Sequence, residues 1–217
     1  MWNRTENQVT GCGKLVLIRH GATQANKEHR YLGKTDEALL ESTRVLLSQR
    51  KAKGFYPQVQ CLFTSPMKRC IQTAGVLYPH LRPLVIPEWE ETDFGRFEYK
   101  NYEELKTDAQ YQAWIDSGGT LDFPGGESRA DFLLRCESGW VRMWKLWSQS
   151  LPEQEKGQAA APPASAAAVV HGGTIMALLS IYGNKQYFDC QAANGRGYVC
   201  RLAGWGSRAW IREAVPL

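Results

Sequence analysis

Short runs of branched apolar residues alternate with helix-patterned segments along most of this 217-residue chain, and that alternation restricts the fold most. Lys14-Leu15-Val16-Leu17-Ile18, bounded by glycine on both sides, has the pattern of a buried strand. Leu39, Leu40, Leu46 and Leu47 recur at helical spacing between Asp36 and Lys53, and Gly54 lies just past the end. Val59 to Thr64 reads as a second strand. Ser65-Pro66 then matches an N-cap followed by proline at the first helical position, opening a helix to Leu77. Leu84-Val85-Ile86 is a third strand that stops at Pro87. Helices are predicted from Tyr102 to Ile115 and from Ser128 to Trp147. The second places Leu133, Cys136, Trp140, Trp144 and Trp147 on one face, a pattern of core packing. Ala166 to Val170 is a small-residue strand, Thr174 to Tyr182 a helix, and Tyr198 to Leu202 and Arg208 to Arg212 are two last strands.

Strands interleaved with helices imply an α/β fold: a three-layer α/β/α sandwich around a mostly parallel sheet. The length fits one domain. The expected organisation is a loose polar leader over residues 1–13 and a single domain over 14–217. Within it, residues 88–126, irregular and rich in acidic and aromatic residues, read as an insertion over one end of the sheet. The Ala/Pro-rich stretch 152–165 reads as a low-complexity surface connector.

Several function classes are excluded. With 43% hydrophobic and 22% charged residues, the chain is neither disordered nor a coiled coil. No run approaches eighteen apolar residues, so no membrane span or membrane partner is expected. Residues 1–8 lack an apolar stretch behind a basic end, so no secretory signal is expected either. A net charge of 26 − 22 = +4, scattered along the chain, is too weak to argue for nucleic acid. Six cysteines without a CxxC pair suggest neither zinc nor a disulfide framework, and are read as reduced thiols of a cytoplasmic protein.

In open α/β sheets, ligands bind beyond the carboxyl ends of the strands. Here the first strand ends in Arg19-His20-Gly21-Ala22-Thr23, with Asn26 close behind. The second ends in Thr64-Ser65-Pro66 before Lys68-Arg69, and the small-residue strand ends in His171-Gly172-Gly173. Arginine forks match phosphate oxygens, and helix starts add N–H donors for an anion. A histidine between arginines is held neutral, and a neutral imidazole aimed at a clamped phosphoryl group is a nucleophile.

The blocks carrying these residues resemble the histidine phosphatase superfamily, the phosphoglycerate-mutase-like or RHG family. Arg19-His20-Gly21-Ala22-Thr23-Gln24-Ala25-Asn26 is similar to its R-H-G-x-T-x-x-N. Ser65 through Ala74 is similar to S-x-x-x-R-x-x-Q-T-A, Glu91 through Glu98 to E-x-x-x-G-x-x-E, and Val170-His171-Gly172-Gly173 to its fourth block. The resemblance implies the phosphoglycerate-mutase-like fold, with His20 as nucleophile and Arg19, Arg69 and His171 as the phosphate pocket. It implies Glu91 as proton donor, places Asn26 and Thr23 near the phosphate, and requires no metal or cofactor. Spacing to Gly95 selects Glu91 over the neighbouring Glu88 and Glu90, read as solvated charge, and Glu98 is expected to order its loop. Two departures fall on the substrate side: Ala38 and Thr43 replace a proline and a glycine, and G-x-W-E-G becomes Gly95-Arg96-Phe97-Glu98-Tyr99.

The expected activity is a metal-independent phosphomonoesterase that forms a phosphohistidine on a small phosphorylated metabolite. The segment from Phe94 to Ser128 looks like the α-ribazole phosphatase branch. A cofactor-dependent phosphoglycerate mutase is the alternative, disfavoured because residues 88–126 carry more acids than bases. A non-catalytic phosphate-binding module is a third reading. The only expected partner is the substrate, and the chain is expected to be a monomer or homodimer.

Overall fold

The structure is a computed structural model that describes residues 13–150, 165–204 and 206–217. The predicted leader, apart from Gly13, Cys12, and the 152–165 connector up to Ser165 lie outside the described residues. The strands are β1 (Lys14–Arg19), β2 (Cys61–Thr64), β3 (Leu84–Val85), β4 (Ser165–Val170), β5 (Gly197–Ala203) and β6 (Trp210–Pro216). They form one sheet in the order β3-β2-β4-β1-β5-β6. The first four run parallel, while β5 and β6 pair antiparallel, so the sheet is mixed.

Alternation on the central strands divides the core into two layers. Leu15 and Leu17 of β1, with Ala166, Ala168 and Val170 of β4, face one cluster, and Val16, Ile18, Ala167 and Val169 face the other. The first cluster is roofed by α6 (Arg129–Ser150) and α7 (Gly172–Gly183), and the second by α2 (Glu41–Ala52) and α3 (Lys68–Leu77). The tryptophan stripe of α6 does pack into the core: Trp140, Trp144 and Trp147 are buried there with Trp89. Trp89 Nε1 donates to the Cys136 carbonyl at 3.2 Å, and a Cβ on Gly139 would lie 2.3 Å from that nitrogen. Glycine in mid-helix is there to admit the indole.

Some predicted boundaries move, each for a local reason. The helix expected from Asp36 starts at Glu41, because the Asp36 carboxylate caps α3 by accepting from Lys68 N–H at 2.8 Å. Its buried face is Thr43 and Leu47, while Leu46 is exposed. α3 starts at Lys68, not Pro66, since Met67 has extended backbone (φ −67°, ψ 140°) and Ser65 is drawn elsewhere. The single helix expected over 102–115 is split into α4 (Tyr102–Leu105) and α5 (Ala109–Asp116), each with its own cap, Asn101 and Asp108. Phe97, Leu105 and Tyr111 in this stretch form a small satellite core with Tyr31 and Trp114. A four-residue helix, α1 (Gln24–Lys27), follows β1. Among the described residues no helix is long and apolar enough to cross a membrane, and the five described cysteines are free thiols.

Candidate active site

The register of β1 against β4 pairs Arg19 with Val170, so the next residue on each strand is a histidine at the same level of the sheet. His20 N–H donates to the Val170 carbonyl at 2.9 Å, and the two imidazole centroids stand 5.2 Å apart. Both rings are buried. The side-chain Nδ1 of His20 lies 2.7 Å from the Gly21 carbonyl oxygen. A carbonyl can only accept, so in neutral His20 the proton sits on Nδ1 and the lone pair is on Nε2. Burial, then Arg69, then Arg19 push the His20 pKa well below the usual imidazole value, which keeps that lone pair free.

Arg69, on the first turn of α3, is fully buried, with each guanidinium nitrogen assigned. Nη1 donates to the Thr35 carbonyl at 2.9 Å, Nη2 to the Gly33 carbonyl at 2.8 Å, and Nε faces His171 Nδ1 at 3.4 Å. The loop that supplies those carbonyls is itself fixed by Glu98. Its carboxylate accepts from the Gly33 N–H at 3.0 and 3.1 Å and from the Thr35 N–H at 2.9 Å. Arg19 donates Nη1 to the Ala192 carbonyl at 2.8 Å, while its buried Nε has no partner. An unpaired buried donor on a guanidinium costs free energy unless a ligand oxygen takes it.

His171 caps α7, and both of its nitrogens are engaged: Nδ1 faces Arg69, and Nε2 lies 2.8 Å from Ser65 Oγ. Its pKa is also driven well below the usual value, first by burial and then by Arg69. His171 therefore stands beside His20 in contact with Arg69, at the place the resemblance implies for the phosphate pocket. Thr23 and Asn26 form a reciprocal capping box at α1, and the Asn26 Oδ1 also accepts from Asn194 Nδ2 at 3.2 Å. They shape the turn after His20, bonded to each other and, through Asn26, to Asn194.

Glu91 approaches from the segment after β3, at the first turn of α7. Burial raises its pKa, against the N–H groups of Thr92 and Gly173 and the charges of Arg69 and Arg19. Its Oε1 accepts from Thr92 N–H at 3.0 Å. A Cβ on Gly173 would sit 2.6 Å from that oxygen. Glu88, by contrast, pairs with Arg142 of α6 at 2.6 Å, and Glu90 is exposed. Beside Glu91 opens a cavity of about 160 Å³, half of whose lining residues are aromatic. A neutral imidazole, two guanidiniums and a carboxyl with a raised pKa can together receive a phosphoryl group and protonate the oxygen it leaves.

Three supporting residues escaped the sequence reading as site members. Ser65 holds His171, Thr73 accepts from Gly21 N–H at 2.9 Å, and Asn194 donates to the His20 carbonyl at 3.1 Å. Ser65 and Thr73 stand inside a quoted block, whereas nothing in the sequence around Asn194 marks it. Among the described residues no group of histidine, cysteine and carboxylate side chains could hold a metal ion.

The sequence profile of the histidine phosphatase superfamily, branch 1, matches residues 15–196. A 2,3-bisphosphoglycerate-dependent phosphoglycerate mutase of Corynebacterium diphtheriae is 32% identical over 121 residues, covering 50% of this chain and 48% of that protein. The chain thus matches about half the length of that relative. Phosphoserine phosphatase 1 of Hydrogenobacter thermophilus is 28% identical over 146 residues, 64% of this chain and 68% of that one. In structure, the α-ribazole phosphatase of Shigella flexneri superposes with a TM-score of 0.71 at 20% identity, covering 93% of this chain and 95% of its own.

Proposed function

Because the chain belongs to the histidine phosphatase superfamily, we propose that it is a metal-independent phosphomonoesterase working through a phosphohistidine. Its fold is the phosphoglycerate-mutase-like α/β fold. The observation that carries the reading is His20: Nδ1 committed to the Gly21 carbonyl, Nε2 bearing the lone pair, and the partnerless Nε of Arg19 close by in the chain.

In the first step the Nε2 lone pair forms the bond to phosphorus as the bond to the leaving oxygen breaks. Arg19 and Arg69 offset the charge on the transferring oxygens. Glu91, whose pKa burial raises, gives its proton to the leaving oxygen. The resulting carboxylate then takes a proton from water, whose oxygen attacks phosphorus and releases phosphate from His20.

The substrate is a small phosphorylated metabolite, and α-ribazole phosphate is a candidate through the neighbour from Shigella flexneri. The mutase alternative has its support in the corynebacterial relative. Against it, two of the bases in the covering segment are engaged by acids, Arg96 with Asp108 at 3.8 Å and Lys106 with Glu103 at 2.5 Å. A mutase needs free cations there to retain its bisphosphate. The test is phosphate release from phenyl phosphate with chelator present, together with acid-labile, base-stable labelling of His20. His20→Ala should lose both. Activity that survives in that variant refutes the nucleophile. Interconversion of phosphoglycerates that depends on added bisphosphoglycerate refutes the phosphatase reading.

A further inference from the structure

The cavity beside Glu91 is larger than proton transfer requires, and its walls are specific. Tyr31, Phe94, Trp114 and Phe123 line it from the segments before and after Glu91, and Tyr187 and Phe188 from beyond α7. The volume of about 160 Å³ is comparable to the roughly 150 Å³ apolar cavity that admits one benzene ring. This is not a closed core. Phe188 is 45% exposed and Leu121, also on the wall, is 51% exposed, so apolar surface faces the opening.

Besides the carboxyl of Glu91, the wall carries one basic residue. Arg129, first residue of α6, has its guanidinium carbon 4.4 Å from the Tyr187 ring centroid and 5.2 Å from that of Phe188. The two rings meet edge-on at 5.0 Å. A guanidinium resting on ring faces keeps its N–H donors in its own plane, directed past the rings. Among the described residues that guanidinium has no salt bridge. The nearby Asp122 carboxylate accepts from the Arg129 backbone N–H at 3.4 Å. Gly119, which also lines the cavity, holds a left-handed turn (φ +73°), and a Cβ there would lie 3.2 Å from Phe188 and 3.3 Å from Trp114. The lining therefore brings together the proposed proton donor, aromatic faces and a cation with unused donors.

We propose that this cavity is the leaving-group subsite, and that it selects an alcohol bearing one flat aromatic ring with an anionic acceptor, such as a carboxylate, on the edge remote from the ester oxygen. Arg129 is its specificity residue. The inference rests on the phosphomonoesterase reading for its chemistry, but the subsite itself makes a binding claim that can be measured without turnover.

The experiment has two arms. In the first, kcat/KM is measured for 4-carboxyphenyl phosphate and 4-(aminomethyl)phenyl phosphate, with phenyl phosphate as the uncharged reference. A charge-assisted contact at Arg129 predicts that the wild type favours the carboxylate by about tenfold or more. Arg129→Gln should bring the ratio close to one, and Arg129→Glu should invert it. In the second arm, binding of the product analogues 4-hydroxybenzoate and 4-hydroxybenzylamine is measured by calorimetry on wild type, His20→Ala and Arg129→Glu. Wild type and His20→Ala should prefer 4-hydroxybenzoate, and Arg129→Glu should not. If no phosphate ester is turned over but this binding pattern holds, the reaction reading falls and the subsite stands. A charge preference that Arg129→Glu leaves unmoved in the binding arm overturns the subsite whether or not the protein is a phosphatase.

Discussion

Gly173→Ala tests the proposed proton donor, Glu91, without substituting it. The added Cβ would lie 2.6 Å from Glu91 Oε1 and 3.1 Å from Phe132 Cζ. An ordinary carbon–oxygen contact needs more than half an ångström beyond that, roughly 3.3 Å in all. Phe132 is buried and cannot yield far, so the carboxyl has to move. A misplacement approaching 1 Å costs about 10²-fold, and the whole contribution of general acid catalysis is about 10² to 10⁴. kcat/KM should therefore fall about 10²-fold for an alkyl phosphate, whose leaving oxygen requires a proton. It should fall much less for 4-nitrophenyl phosphate, whose phenolate leaves unaided. Since kcat/KM reports steps up to the first irreversible one, Glu91's later role with water does not enter the comparison. The assay is phosphate release from both substrates, with a thermal melt to verify folding. Equal losses on the two substrates in a folded variant would refute the assignment of Glu91 as the acid, as would no loss on either.

The proposed mechanism needs His20 neutral and Glu91 protonated. The rate thus rises with pH through the lowered pKa of His20 and falls through the raised pKa of Glu91, and Glu91→Gln should abolish the falling limb of the kcat/KM profile. If that limb persists in Glu91→Gln, another group sets it. Arg69→Lys gives up the fork that spans the Gly33 and Thr35 carbonyls, and kcat should drop by about 10² to 10³; wild-type kcat in that variant would remove Arg69 from the site. Gly139→Ala would gain about 1 kcal/mol of helix propensity at an open position, but overpacking against Trp89 costs about 1–3 kcal/mol. Its melting temperature should fall by about 2–4 °C per net kcal/mol, and an unchanged or higher midpoint would show that the indole has room to move.

Much of this was legible in the sequence because strand ends in an α/β sheet bring distant residues together. Arg19-His20 and Val170-His171 are each a strand end, and the parallel register alone makes neighbours of them. Helix starts were less legible. Ser65-Pro66 has the composition of a cap, but Ser65 is claimed by His171 across the sheet, and a tertiary partner overrode the local signal. Asp36 likewise serves α3 and not its own segment. The supporting contacts of Asn194 could not be read at all, since they depend on where a loop following the last helix folds back. The aromatic cavity was hidden for a related reason: Tyr31, Trp114 and Phe188 come from three distant stretches, and none of them shows a period.

The strand that bears His20 is made early, yet both of its neighbours come late. β1 begins at Lys14, and its partners are β4 from Ser165 and β5 from Gly197. Even the Arg19 and His20 carbonyls wait for the Gly195 N–H, at 3.0 and 3.2 Å. On a ribosome, His20 emerges long before the two strands that flank β1, and gains its surroundings only after both have followed. Such non-local pairing slows folding and leaves β1 and β2 with unpaired edges in the interval. The surroundings of His20 are therefore completed only once the Gly195 loop has been made, and a chain that stops before that loop lacks part of the candidate site.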